Sequence, residues 1–134
     1  MDTEVISIST GRRRQTVDIT GHAARFVEGR GEGLLSVFAP HATAGLAIME
    51  TGAGSDADLL DALDEILPRD DRWRHRHGSP GHGADHVLPA LLSPSVTIPV
   101  KEGRMLLGTW QSIVLVDPNS DNLQRHIRFS WIPG

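Results

Sequence analysis

The chain has 134 residues, 39% hydrophobic and 22% charged, which suits one domain (1–134) with a real core. A net charge of −4 gives no basic field for nucleic acid, and no apolar run approaches the roughly 18–20 residues that span a bilayer. With no cysteine, disulfides, thiolate nucleophiles and cysteine-held zinc or iron–sulfur sites are excluded, so any metal must be held by histidines and carboxylates.

The opening MDTEVISIST lacks a basic region followed by an apolar one, so it is no signal peptide, and the expected compartment is the cytoplasm. Glu4 to Ser9 alternates and is β-branched, which reads as a strand. Arg12-Arg13-Arg14 beside Gly11 is a solvated turn, and Gln15 to Ile19 a second short strand. Thr20 is placed to cap a helix running through Glu28, with Ala23, Ala24, Phe26 and Val27 on its packed face. Leu34 to Ala39 is a strand short and apolar enough to be buried on both faces. Ala44 to Glu50 is another strand, so His41 and Glu50 flank it at opposite ends.

Ser55 to Leu67 predicts the longest helix, with Leu59, Leu60, Leu63, Ile66 and Leu67 as one apolar stripe. Asp56, Asp61, Asp64 and Glu65 form its solvated side, and Pro68 stops it. Asp85 to Leu92 predicts a short helix that Pro89 makes irregular or late-starting. Pro94 to Val100 is a strand, Lys101 to Arg104 a turn, and Met105–Leu107 with Gln111–Val116 a strand pair around Gly108-Thr109-Trp110. Asp117 to Asn122 is a loop by composition, and Arg125 to Trp131 a closing strand. The balance predicts an α+β fold: a curved, largely antiparallel sheet or sandwich with two or three helices.

Four of the seven histidines fall between Trp73 and His86, in W-R-H-R-H-G-S-P-G-H-G-A-D-H. The segment offers little to bury and much imidazole to position, which suits a metal or acid–base site. A flexible basic surface loop is the plain alternative. His82 and His86 are four apart, as on one helical face, yet Gly81 and Gly83 argue against a helix there. The glutamate of H-E-x-x-H is also missing, so a metalloprotease is disfavoured. Trp110 reads as a core anchor or as a flat wall for an aromatic ligand, and Gln111 as its polar companion. Arg104 and Arg125 carry the planar forks that meet phosphate, although most surface arginines do not.

Several stretches occur in one order: T-V-D-I-T (16–20), H-A-T-A-G-L-A-I-M-E (41–50), W-R-H (73–75), A-D-H-V-L-P-A-L-L (84–92), S-V-T-I-P-V (95–100) and G-R-M-L-L-G-T-W-Q (103–111). Together they resemble the secondary thiamine-phosphate synthase family, the YjbQ-like proteins of bacteria and archaea, over nearly the whole chain. The resemblance implies a curved antiparallel sheet with helices and a homotrimer with sites near subunit contacts. It implies His41, His75 and His86 as ligands of a divalent metal ion, zinc first and magnesium or manganese as alternatives. His77 and His82 then become local accessories.

The implied activity joins a pyrimidine methyl pyrophosphate to a thiazole phosphate with loss of pyrophosphate. Glu50, His41 and Gln111 would be catalytic; Trp110, Arg104 and Arg125 would bind the small-molecule substrate. Two rivals stand beside it: a metal-dependent hydrolase of a small phosphorylated or heterocyclic metabolite with Glu50 as base, and a non-catalytic metal- or ligand-binding trimer. The chain departs from the family pattern at Met49, where asparagine is frequent, and at Ala84-Asp85-His86, where Pro-Ala-His is frequent. S-P-G-H-G (79–83) replaces an acidic stretch, which implies His82 in place of a carboxylate and an altered metal affinity.

Overall fold

Ile113, Val114, Leu115 and Val116 are successive residues of one strand, and all four are fully buried. Side chains alternate across a strand, so both of its faces must be covered. The computed structural model, which describes residues 1–134, shows how. The elements are β1 Thr3–Ser9, β2 Gln15–Asp18, α1 Thr20–Val27, β3 Gly33–Phe38, β4 Gly45–Met49, α2 Ser55–Ile66, α3 His82–Leu91, β5 Ser95–Lys101, β6 Arg104–Met105, β7 Ser112–Asp117 and β8 Gln124–Pro133. One sheet has the order β1-β8-β3-β5-β6 and the other β2-β7-β4, every pairing antiparallel.

Between the sheets lies the larger core, where Ile113, Leu115 and Leu46 meet Leu35, Val37, Ile98, Ile127 and Phe129. Helix α1 closes it with Ala23, Phe26 and Val27, and the Phe26 and Phe129 rings stack at 5.7 Å. The other face of the small sheet, Val114 and Val116, packs on Leu63 and Leu67 from the α2 segment and on Ala84 and Leu88 of α3. The α+β class with a curled antiparallel sheet and three helices is therefore the observed one. No helix is long and apolar enough to cross a membrane.

Local expectations depart from the fold at five points. Met105–Leu107 does not pair with the strand that follows. Glu102 (φ 53°) and Gly103 (φ 71°) form a two-residue turn, so Met105 returns against Val100 and Arg104 against Lys101. β7 is then free to sit between β2 and β4. Thr20 does not cap α1: its hydroxyl accepts the Ile113 N–H at 2.8 Å, and Ile19 holds the cap position. β3 is buried on one face only, leaving Leu34 and Phe38 exposed on the outer surface of the five-stranded sheet. Ile66 lies outside the α2 stripe, 62% exposed. Finally, α3 starts at His82, so Pro89 falls in its second half. Burial of Ala84 and Leu88 holds the helix where local preference would break it.

Candidate functional site: a histidine cluster on a helix start

Gly81 and Gly83, which look like helix breakers in the sequence, are contact positions in the fold. A Cβ on Gly81 (φ +79°) would lie 2.7 Å from the Arg69 backbone. One on Gly83 would lie 2.4 Å from Cβ of Trp73 and 2.7 Å from the His75 carbonyl. The segment leaving α2 therefore presses directly on the first turn of α3, a close approach that only glycine permits. Trp73 fixes that segment by donating its indole N–H to the Pro68 carbonyl at 2.8 Å. The result sets His75 against His86 (ring centroids 4.0 Å apart) and His82 (5.4 Å).

His75, His82 and His86 each offer a ring nitrogen, and the three lie within 4.8 Å of one another. The Nε2 atoms of His82 and His86 are 2.9 Å apart, and Nδ1 of His75 is buried without a hydrogen-bond partner. Burial, with the neighbouring histidines second, lowers the pKa of both His75 and His86 below the ordinary 6.5. Both rings are thus held in the neutral form that ligates. His77 stands beside His75 (3.9 Å between centroids) but outside the converging set.

A polar network backs the cluster. Nδ1 of His82 is 2.8 Å from the Asn119 amide nitrogen and 3.0 Å from an Asp121 carboxylate oxygen. The Asn119 amide also donates to buried Asp85 at 3.0 Å, and Asp85 pairs with Arg69. Asp121 accepts the Ser79 N–H, which is the main cause of its lowered pKa. Asp117 in turn accepts the Asn119 N–H and holds buried Arg125 through both carboxylate oxygens, at 2.8 and 2.9 Å.

The cluster opens on a cleft of about 560 Å³, whose lining includes His41, Thr43, His77, His82, His86, Asp121 and Arg125. A second cavity of about 390 Å³ reaches His75 and His86 from the side of Arg72 and Arg74. His41 faces the cleft from the sheet side, its Nε2 accepting the His126 backbone N–H at 2.9 Å. Burial, then the Arg125 charge, lowers its pKa.

The residues singled out in the sequence do not all gather here. His75 and His86 converge with His82, while His41 lines the adjoining cleft with its Nε2 on the His126 backbone. Arg125 lines the cleft with its charge already matched by Asp117, so it serves the fold before any phosphate. Arg104 lies on β6, and neither it nor Glu50, Trp110 or Gln111 lines the cavities around the histidines. The pairing Met49↔Ser112 sets Glu50 beside Gln111 at one end of the small sheet, whereas Gly45↔Val116 marks the other. Those registers are four residues apart, roughly 13 Å along the strand, and Thr43 and Asp117 lie beyond the far one. Gln111 is spent on its own turn, accepting the Gly108 N–H, while Trp110 is 73% exposed.

Sequence reasoning keeps His82 only as an accessory in place of a carboxylate, and does not find Asp85, Asn119 and Asp121 as its neighbours. The four-residue spacing of His82 and His86 is the usable signal, and the glycines on either side of His82 mask it. Nothing in D-P-N-S-D-N marks it as the support of a histidine 37 residues upstream.

Residues 4–134 match the profile of the family described as UPF0047 protein YjbQ-like. A UPF0047 protein of Mycobacterium tuberculosis is 60% identical over 134 residues, covering 100% of both chains. One from Archaeoglobus fulgidus is 33% identical, over 91% of this chain and 95% of that one. Among solved structures, a "YbjQ-like protein of unknown function" from Sulfolobus solfataricus superposes with a TM-score of 0.91 at 28% identity, covering 99% of this chain and 97% of that one. A hypothetical protein from Aeropyrum pernix gives 0.89 at 29% identity over 100% of both.

Proposed function

Because the chain belongs to the YjbQ-like UPF0047 family, we propose that it binds a divalent metal ion on His75, His82 and His86. The ion serves chemistry on a small phosphorylated metabolite in the adjoining cleft. The observation that carries this reading is the convergence of one ring nitrogen each from His75, His82 and His86 within 4.8 Å, with the Nε2 atoms of His82 and His86 2.9 Å apart and Nδ1 of His75 buried and unpartnered. A buried nitrogen without a partner is costly, and one cation would satisfy all three rings. An all-imidazole set favours zinc over magnesium or manganese. Such an ion supplies Lewis acidity toward a phosphoryl or leaving-group oxygen. A cleft of about 560 Å³ is of metabolite size. Nε2 of His41 meets both the His126 N–H (2.9 Å) and the His126 carbonyl oxygen (3.2 Å), which leaves Nδ1 as its ring nitrogen for a substrate.

The first reaction to assign is the thiamine-phosphate synthase type, condensation of a pyrimidine methyl pyrophosphate with a thiazole phosphate, possible as a side activity. One observation favours the hydrolase instead: Arg125 is neutralised by Asp117 and Arg104 lies away from the cleft, so neither clamps a leaving pyrophosphate in a single copy. In the homotrimer we propose, Glu50, Trp110 and Gln111 reach the cleft from a neighbouring copy. The bare outer sheet face, with Val5, Leu34, Phe38 and Ile132 exposed, is suited to subunit contact.

The test is elemental analysis of untagged protein with His75→Ala and His86→Ala. Stoichiometric metal in the wild type, lost in both variants, is the expected result. Wild type that takes up neither zinc nor manganese refutes the metal reading. Zinc-loaded protein is then given the two thiamine precursors, with pyrophosphate followed, and a panel of phosphorylated metabolites, with phosphate followed. Turnover of neither leaves the non-catalytic binding trimer. Mixing His75→Ala with Glu50→Ala protein restores activity only if copies share a site.

A further inference from the structure

The arginines around the histidine cluster are not in one condition. Arg69 is paired with Asp85, Arg72 with Asp70 and Arg125 with Asp117, whereas Arg74 has no carboxylate partner. Arg74 lines the side cavity of about 390 Å³, together with Trp73, Val87, His75 and His86, and no carboxylate lines it. The cleft differs: its charged lining residues are Asp121 and the already paired Arg125. His86 lines both spaces, so one ligand can reach from the cleft into the side cavity. Trp73 is a fixed wall. Its indole N–H donates to the Pro68 carbonyl at 2.8 Å, and its Cβ and Cγ stand where a Gly83 side chain would be. Trp73 and Val87 also pack on the smaller apolar layer, so the surface they offer is formed before any ligand arrives.

We propose that this side cavity is a binding subsite for a flat ring bearing an anionic group, with Arg74 on the anion and Trp73 and Val87 against the ring. A guanidinium offers a planar fork to phosphate, phosphonate or carboxylate, and an unpaired one gives up no partner to do so. A rigid aromatic wall gives large contact area for little ordering. The volume is that of a small-molecule pocket. The sequence offers Trp110 as the flat wall and Arg104 and Arg125 as the phosphate forks. Trp110 and Arg104 line none of the cavities at the histidines, and Arg125 is taken by Asp117. Trp73 and Arg74, adjacent in the chain, fill both roles. The subsite narrows the substrate class to an aryl or heterocyclic metabolite with an acidic group beside the reacting centre. That consequence rests on the proposed three-histidine metal site; the subsite itself does not.

The probe is phenylphosphonate, flat, anionic and without an ester bond to hydrolyse. Propylphosphonate carries the same charge on a flexible chain, and benzyl alcohol carries the ring without charge. Full-length protein with ¹⁵N-labelled tryptophan gives three indole N–H signals, those of Trp73 and Trp110 assigned by their loss in Trp73→Phe and Trp110→Phe. In chelator-treated protein, phenylphosphonate is expected to move the Trp73 signal saturably and to bind more tightly than either control. Movement of the Trp110 signal in its place, or equal affinity for the two phosphonates, overturns the proposal. Arg74→Ala is expected to weaken phenylphosphonate about 5–10-fold, Arg74→Lys less, and Arg104→Ala not at all. Unchanged affinity in Arg74→Ala overturns it as well. Arg74 is exposed and unpaired, so its variants leave the fold intact. Should Trp73→Phe not fold, Trp110→Phe leaves Trp73 as the one indole outside the large core, since Trp131 is buried there. A zinc titration separates the two readings. Protein that takes up no zinc yet answers phenylphosphonate at Trp73 refutes the metal and keeps the subsite; zinc bound with Trp73 silent does the reverse.

Discussion

The two faces of the three-stranded sheet lead different lives. Toward the five-stranded sheet, Ile113 and Leu115 join 17 buried apolar residues, with one buried ion pair, Arg125–Asp117, at the end of that layer. Toward the helices, Val114 and Val116 join one of six. Beside that thin layer lie buried Asp85, Asn119 and His82, tied to each other and to Arg69. The apolar bulk belongs to the thick layer and the converging histidines to the rim of the thin one. A closed sandwich has no place for a ring nitrogen without a partner; a helix start resting on a glycine-rich segment does.

The contrast is open to direct attack. Phe129 is fully buried in the larger core, and Phe129→Ala is expected to cost about 3–5 kcal/mol in urea unfolding. Leu88 is equally buried but in the smaller layer, so Leu88→Ala is expected near the lower end of the roughly 2–5 kcal/mol range. Equal costs at the two positions would dissolve the distinction. Gly83→Ala sets a methyl into Trp73 and the His75 carbonyl, for about 1–3 kcal/mol. It sharpens the comparison, because it should also abolish zinc uptake, whereas Phe129→Ala protein that remains folded should keep it.

The smallest effect is a slope. His41 has its pKa lowered by burial and by Arg125, so the unfolded chain binds its proton more readily than the folded one. Its contribution to stability is full above the ordinary 6.5 and is lost as pH falls from there through the lowered folded value. Wild type should therefore lose stability faster than His41→Gln on acidification below 6.5, the two curves running parallel in alkaline solution. Parallel curves throughout would show that the His41 environment differs from the one described.

Much of the fold was readable because local and global signals agreed. The alternation of Glu4–Ser9 and the stripe of Leu59, Leu60, Leu63 and Leu67 lead to β1 and α2 within a residue or two. Errors arose where tertiary contact overrode local chemistry. Gly81 and Gly83 weaken a helix in isolation but admit Arg69, Trp73 and His75 at distances no other residue allows. Thr20 found a better partner in Ile113, 93 residues away, than in its own helix. For the site, composition points to the segment in which three imidazoles converge. It could not choose among the histidines, because their convergence, and the Asn119 contact behind His82, arise only when the chain closes. Nor could it show that Glu50, Trp110 and Gln111 lie at the other end of the sheet.

The total burial of β7 has a consequence for time as well as for stability. Its amides are shielded by a neighbouring strand on each side and by a packed layer on each face. Those of Ile113 to Val116 should exchange with deuterium only when the whole molecule opens, while those of residues 75–83 exchange through local opening. One exchange experiment would hold two clocks. Zinc binding should slow the second by many-fold and the first only as far as it stabilises the entire fold.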